Sequence, residues 1–317
     1  MQNLTDKSYY IIICTDYDFE RSLPMINADR RVKYALLSIV SNTTLIILKI
    51  IAGILSGSVS IISEAIHSGM DLVASLVAFF SVRKSSKPAD RSHPYGHGKI
   101  ENVSGIIEGL LIFVAAAMII HEAYKKIYEP VIIEQAIVAI AVMFTAALIN
   151  FIVSKKLYKV SQEEDSMALE ADALHLKTDV YTSIGVGMGI ILIKLTGILV
   201  LDSIVAILVA LLIIKEAWEL TKNAFDYLLD ARLSDSEEEE IKKVIQAHST
   251  EFMDYHKLKT RKSGNMKHID FHITVDPELT VRETHVIIGS IKKDMSEKFK
   301  NTRVNIHIDP YKDEHNL

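Results

Sequence analysis

Cysteine is almost absent from this chain of 317 residues, which holds only Cys14. A disulfide framework needs paired cysteines and a cysteine-rich metal site needs several thiolates, so both are excluded. Positive charge is also in short supply, because 35 Lys and Arg residues face 40 Asp and Glu residues. The resulting net charge of −5 offers no basic surface for nucleic acid.

Charged residues of both signs are scarce over most of the chain and frequent only near its end. From Asp230 onward 32 of 88 residues are charged, whereas the first 229 residues hold 43 charges. This contrast excludes one uniform globular enzyme, a disordered chain and a coiled coil. It predicts an apolar membrane domain followed by a polar domain. The predicted segments are an N-terminal cytosolic tail over 1–32, a membrane domain over 33–218, a linker over 219–229 and a cytoplasmic domain over 230–317.

Long runs without charge predict an α-helical membrane domain. A helix needs about 20 mostly apolar residues to cross a bilayer. Extending the runs over isolated charges predicts six transmembrane helices, near 33–56, 59–83, 102–125, 131–154, 168–195 and 198–218. Lysine and arginine are concentrated in the second–third and fourth–fifth connections, which predicts that these connections and both termini are cytoplasmic.

The polar domain has the pattern of a small α/β fold. Serines at 234 and 236 precede four glutamates, which is typical of a helix start. Residues 268–275 alternate apolar and polar side chains, which is typical of a strand. With a second helix over 280–300 and strands near 257–261 and 303–308, the order is α-β-β-α-β, as in two-layer ferredoxin-like domains.

Ionisable residues interrupt the second and fifth predicted spans in the same way. The second span contains His67 and Asp71, and the fifth contains His175 and Asp179. The spacing of four residues places each pair on one helix face. Two such helices would present two imidazoles and two carboxylates, a set that suits a divalent cation and zinc first. The alternative is that these polar groups only join helices, but ionisable residues within a span are costly and usually functional.

Each pair is preceded by one further acidic residue at the same offset. Glu64 stands three residues before the first histidine and Asp172 three residues before the second. They are either outer-shell groups near the metal or charges without a role in transport.

Taken together, the chain resembles the cation diffusion facilitator family, in its zinc-transporting branch. The resemblance covers six spans, the two HxxxD elements and the C-terminal α/β domain. It implies a homodimeric, multi-pass protein of the cell membrane that exports a divalent cation from the cytosol by proton antiport with alternating access. Zn²⁺ is the expected substrate and also the expected structural or regulatory ion, with Fe²⁺, Co²⁺, Cd²⁺ and Mn²⁺ left open.

The connection between the second and third spans holds three candidate metal ligands in eight residues. They are Asp90, His93 and His97, which match a loop site of the family. A solvated loop rich in histidine is the alternative interpretation.

The resemblance also implies a metal site in the cytoplasmic domain and a charge interlock at the dimer. The implied ligands of the cytoplasmic site are His256, His272, His285, His307 and Asp309. The implied interlock pairs Lys99 with Asp230. His248 and His268 match none of these positions and are expected at the surface.

Two other functions fit parts of the sequence. A membrane-tethered metal sensor could use the cytoplasmic site alone, but it leaves the carboxylates of the second and fifth spans unexplained. A histidine-cluster membrane oxidase needs more histidines, commonly in adjacent pairs, and this chain has no adjacent pair. We therefore expect a transporter and not an enzyme.

Overall fold

The computed structural model describes residues 24–56, 59–128, 136–198 and 200–311. Within the described helices, the side chains of Glu64 and His67 lie outside the description. The chain divides into two compact units, Met1–Phe225 and Asp226–Leu317.

The first unit is built from six long helices in its described residues. Their bounds are α1 Pro24–Ser56, α2 Val59–Ser85, α3 Ile100–Tyr128, α4 Ala136–Glu164, α5 Met167–Thr196 and α6 Val200–Leu228. Two boundaries differ from the predicted segments. Residues 24–32, predicted as the end of a tail, begin α1, and the predicted linker over 219–229 is mostly the last part of α6.

Three of these helices are long and apolar enough to cross a membrane when the described residues alone are considered. The qualifying stretches are Arg30–Ile54, Ile100–Tyr128 and Ala141–Glu164. The outward faces carry large apolar side chains, with Leu110, Leu148 and Leu208 each more than half exposed. Apolar surface of this extent on a helical unit fits a lipid environment.

Small residues line the helix contacts of this unit. α1 packs most extensively on α2, and α4 packs most extensively on α5. Alanines such as Ala74 and Ala173 are almost fully buried there. Gly109 of α3 lies so close to α6 that a Cβ placed on it would stand 2.0 Å from Thr221 Oγ1. Close backbone approach at small residues is the usual way in which membrane helices pack.

A buried ion pair joins four segments of this unit. Arg31 of α1 is paired with Glu101 of α3, and both side chains are at most 4% exposed. The Glu101 carboxylate also accepts hydrogen bonds from Ser85, at the end of α2, and Ser166, between α4 and α5. Charge-assisted bonds from three segments compensate the burial of this carboxylate. They hold the α2–α3 connection against the rest of the bundle.

The second unit follows the α-β-β-α-β order that the sequence predicts. Its elements are α7 Asp235–Ala247, β1 Asp254–Ser263, β2 Met266–Val275, α8 Val281–Lys298 and β3 Thr302–Pro310. Capping boxes begin both helices, with Ser234 bonded to Glu237 and Thr280 bonded to Glu283. The sheet order is β1-β2-β3, antiparallel between β1 and β2 and parallel between β2 and β3.

A continuous apolar core holds this unit together. The alternating residues of β2 are buried on the helix side as predicted, with Ile269 and Ile273 fully inaccessible. The expectation that His248 and His268 lie at the surface is wrong, since they are 7% and 5% exposed. His248 lies between two carboxylates, with Nδ1 3.0 Å from Glu251 and Nε2 3.0 Å from Asp294. Hydrogen bonds to both ring nitrogens offset the loss of hydration when this ring is buried. The spacing of residues in the sequence does not show that these partners are present.

Candidate metal centres

The buried centre of the membrane unit brings together three of the four residues predicted there. Asp71 of α2 and His175 and Asp179 of α5 offer ligand atoms that all lie within 4.8 Å of one another. His175 Nε2 stands 3.2 Å from Asp71 Oδ1. The HxxxD spacing aligns His175 with Asp179 on one face of α5, and the contact between α2 and α5 supplies the third group.

His67, the fourth predicted residue, lies on α2 one helical turn before Asp71. Its side chain lies outside the described residues, as does that of Glu64. The complete set of four ligands therefore stays a prediction.

Two asparagines, which the sequence analysis missed, contact this centre from the helices that precede α2 and α5. Asn42 of α1 donates to the backbone carbonyl of Asp71 at 3.2 Å. Asn150 of α4 places Nδ2 3.4 Å from Asp179 Oδ2. Both side chains are at least nine-tenths buried. Buried amides in apolar spans are a signal that could have been read from the sequence.

Two more carboxylates are fully buried near the centre. Asp172 accepts a hydrogen bond from Ser38 Oγ at 3.0 Å, and Glu108 of α3 accepts one from Ser104 Oγ at 3.0 Å. In the part of the chain that the structure describes, the second oxygen of each carboxylate has no hydrogen-bond partner. Asp172 was a candidate from its spacing, whereas Glu108 was missed although a lone glutamate within an apolar span is unusual.

The chemistry of the buried centre is that of a site for a divalent cation. Carboxylate oxygens and an imidazole nitrogen suit borderline metals such as zinc, and also harder ions that accept oxygen donors. Carboxylates removed from water need a proton, a cation or hydrogen bonds to offset the loss of hydration. Either a divalent cation or protons at this centre would offset the burial of its carboxylates.

The predicted loop ligands also come together. The ligand atoms of Asp90, His93 and His97 lie within 4.8 Å of one another. The backbone N–H groups of Ser92 and His93 donate to Asp90 at 2.9 and 2.7 Å. These bonds, that from His93 first, lower the pKa of the Asp90 carboxyl and keep it ionised. The cluster is half open, because the His97 side chain is 7% exposed and that of His93 is 58% exposed.

A row of histidines crosses the sheet of the second unit. His256, His272 and His307 are opposite one another on β1, β2 and β3. Their ring centroids are separated by 5.3 and 4.5 Å. A bulge after His256, where Lys257 adopts a φ of 53°, shifts the register of β1 and sets His256 opposite His272.

Asp309 closes this row from the end of β3. Its carboxylate lies 2.8 Å from His272, 3.2 Å from His256 and 3.3 Å from His307. The contact with His272 lowers the pKa of the Asp309 carboxyl. Four of the five residues implied for the cytoplasmic site thus lie close together. Three of them, His256, His272 and Asp309, have ligand atoms that all lie within 4.8 Å of one another.

The fifth residue, His285, does not join this cluster within one chain. It is the fifth residue of α8 and is exposed. A role for it as a ligand stays a prediction.

The predicted interlock residues lie in different units. Lys99 directly precedes α3, and Asp230, with a φ of 63°, follows α6. Within its own unit Asp230 is paired with Arg261 at 3.3 Å. The pairing of Lys99 with Asp230 stays a prediction.

Comparison with known proteins identifies the family. Residues 35–229 match the cation efflux transmembrane domain, and residues 233–311 match the cytoplasmic domain of cation efflux proteins. The transporter sll1263 of Synechocystis sp., described as uncharacterized, is 32% identical over 88% of this chain and 90% of its own length.

Two further relatives are named for efflux. The manganese efflux system protein MneP of Bacillus subtilis is 29% identical over 89% of this chain and 97% of its own length. The cation-efflux pump FieF of Shewanella oneidensis is 28% identical over 86% and 92%. The chain is a divalent cation efflux transporter of the membrane, and it belongs to the cation diffusion facilitator family.

Proposed function

We propose that this protein exports zinc from the cytosol in exchange for protons, with the metal carried by His67, Asp71, His175 and Asp179. The observation that carries the proposal is the convergence of Asp71, His175 and Asp179 from two helices, with Asp71 and His175 buried and Asp179 half-buried. An imidazole must be neutral to bind a metal ion, and its ordinary pKa near 6.5 is close to working pH. Protons on the more acidic side of the membrane therefore compete with the ion for the same groups.

The choice of zinc rests on the donor set. Two imidazoles with two carboxylates make a four-coordinate site of the kind that zinc occupies in many proteins. Softer copper(I) is disfavoured because no cysteine thiolate lies near the centre in the sequence pattern. Manganese is the main rival, since one relative is named for manganese efflux.

The proposed topology has six spans with both termini in the cytosol of a cell-membrane protein. The charge asymmetry of the connections supports it, because the loop that holds His93 and His97 is also rich in lysine and arginine. In this orientation the loop cluster lies on the cytosolic side. Its exposure suits rapid collection or exchange of ions near the mouth of the pathway.

The cytoplasmic domain is proposed to regulate and stabilise the homodimer and not to conduct. Its histidine row lies on a sheet of a polar unit with its own core. The residues present fit a zinc ion, because His272, His256 and Asp309 present nitrogen and oxygen donors at one point. Metal bound between folded protomers would favour the dimer by mass action.

Flux in proteoliposomes tests the proposal. The purified chain is reconstituted with a zinc-sensitive dye inside, and zinc is added with or without a pH difference across the membrane. We expect zinc entry that increases when the lumen is acidic and falls back to the rate without a pH difference when a protonophore removes the gradient. A chain that binds zinc but moves none would instead be a membrane-tethered sensor. Flux unaffected by the gradient would exclude proton antiport.

A further inference from the structure

Two helix pairs of the membrane unit repeat one another in the spacing of their junctions and of their polar residues. α1 ends at Ser56 and α4 at Glu164, while α2 begins at Val59 and α5 at Met167. Each position in the second pair is that of its counterpart plus 108, and the same offset relates the two HxxxD elements. Each pair is also among the most extensive contacts of the unit. Repeats of this kind place the substrate of many transporters at the interface between their halves.

The repeat includes one asparagine in the first helix of each pair. Asn42 and Asn150 are also related by the offset of 108. Each lies 29 residues before the aspartate that it contacts, Asp71 for Asn42 and Asp179 for Asn150. The two amides are therefore matched positions at the transport centre of the proposed function.

The two amides differ in what they bind. Asn42 Nδ2 donates to the backbone carbonyl of Asp71 and lies 3.3 Å from Ser75 Oγ. Asn42 therefore fixes the position of α2 relative to α1 and does not contact the Asp71 carboxylate through these bonds. Asn150 Nδ2 instead reaches the carboxylate of Asp179 itself, at 3.4 Å. Asn150 Oδ1 is buried and has no hydrogen-bond partner among the described residues.

A buried amide oxygen without a partner is destabilising, because it has lost its hydration and no hydrogen bond replaces it, and it indicates a place for a ligand. The Asn150 amide already contacts the Asp179 carboxylate, so a cation bound to that carboxylate would lie within reach of the amide oxygen. The terminal torsion of an asparagine is broad and roughly two-fold. The side chain can therefore present its N–H to a free carboxylate or its oxygen to a cation bound there.

We propose that Asn150 is a specificity-determining residue that contacts the transported cation through its amide oxygen, whereas Asn42 only positions Asp71. This rests on the proposed function, since it assumes transport at Asp179. An added neutral oxygen favours ions that prefer oxygen ligands and higher coordination numbers, Mn²⁺ above all, over tetrahedral zinc. Asn150 thus broadens the range of cations that a site of imidazoles and carboxylates would accept.

The test compares Zn²⁺ and Mn²⁺ in proteoliposomes that contain the full chain. Asn150→Leu removes the amide oxygen, Asn150→Asp keeps an oxygen at the same place, and Asn42→Leu is the matched control from the other half. Mn²⁺ is assayed both as a substrate and as an inhibitor of zinc flux. Elution as a single species in detergent checks folding of each variant.

We expect Asn150→Leu to raise the KM or inhibition constant for Mn²⁺ about 10-fold to 100-fold, the range typical for residues that support a metal site. The zinc KM should rise by a smaller factor, so the preference moves toward zinc. Asn150→Asp should keep or increase the relative preference for Mn²⁺. Asn42→Leu should lower kcat for both ions and leave their ratio unchanged.

Two results would overturn the assignment. One is an unchanged ratio of Mn²⁺ to Zn²⁺ in Asn150→Leu, and the other is an equal change of ratio in Asn42→Leu. If Asn150→Leu does not fold, the Asn150→Asp ratio decides alone, and a shift toward zinc refutes the idea. Asp179→Ala measured in parallel separates the two proposals, because transport by that variant refutes the proposed function itself.

Discussion

The buried centre of the membrane unit and the histidine row of the cytoplasmic unit use the same ligand types in opposite surroundings. Asp71 and His175 have side chains that are 10% and 7% exposed. His272 and Asp309 have side chains that are 28% and 34% exposed. The first set comes from two helices of an apolar bundle and the second from three strands of a small sheet.

The difference in exposure changes what each site can do. Carboxylates and imidazoles that retain contact with water lose little hydration when no metal is bound. The groups of the membrane centre have much less contact with water, so a proton, a cation or hydrogen bonds must balance their charge. An empty site is therefore less costly in the cytoplasmic row than in the membrane centre.

The largest expected effect comes from removing a ligand in the buried centre. Asp179→Ala should reduce zinc flux about 100-fold or more, to the level of empty vesicles, because the set loses one of its charged ligands and the remaining groups are largely removed from water. Flux in proteoliposomes measures this. The matched control is Glu219→Ala, an exposed carboxylate paired with Lys215 on α6, which should retain transport. Normal flux in Asp179→Ala would show that the membrane centre is not the transport site.

A smaller effect is expected from the cytoplasmic row. His272→Ala should weaken zinc binding by the isolated 226–317 unit by about 10-fold to 100-fold, a range typical when support for a metal site is lost. His285→Ala should leave that affinity nearly unchanged in dilute monomer and weaken only zinc-dependent dimerisation. Calorimetry and analytical ultracentrifugation distinguish the two quantities. Equal loss of affinity in both variants would show that His285 binds within one chain.

Acid should destabilise the cytoplasmic unit independently of its metal ligands. Burial, followed by the charges of Arg261 and Arg303 on the neighbouring strands, lowers the pKa of His268 from 6.5 to about 4. Between pH 6.5 and 4, His268 is protonated in the unfolded chain and neutral in the folded chain. The free energy of unfolding therefore decreases as the pH falls through this range.

His268→Gln should flatten this part of the stability profile. Urea unfolding of the 226–317 unit between pH 7 and 4, with EDTA present, measures it. His285→Gln provides the control, since it removes an exposed histidine of the same unit. An acid dependence that persists unchanged in His268→Gln would assign it to other groups.

The smallest effect concerns the predicted charge interlock of Lys99 with Asp230 at the dimer. Lys99→Asp should reduce flux, and adding Asp230→Lys should restore part of it. An exposed pair contributes only about 0–1 kcal/mol, so the changes are expected to be a few-fold. Asp230 also pairs with Arg261, and Asp230→Lys alone therefore includes the loss of that contact. A double variant no better than the product of the single losses would show that the residues act independently.

Local sequence patterns were sufficient for most elements. The helix start at Ser234 and the alternation of β2 depend on residues that are close together in the sequence, and the structure has both features where they were predicted. The element order of the cytoplasmic domain followed from the same patterns. In the structure the helix α6 continues to Leu228, through most of the segment 219–229 that was predicted as a linker.

The sequence by itself determined which residues could bind a metal ion and that the two groups of each HxxxD element share one helix face, because residues four apart are neighbours on any helix. Only the tertiary structure decided which groups meet. Asp71 and His175 are 104 residues apart and approach through the packing of α2 on α5. His256 reaches His272 because a bulge shifts the register of β1. The contact of Asn150 with Asp179, and the burial of His268 between two arginines, depend on pairings between elements that no local period encodes.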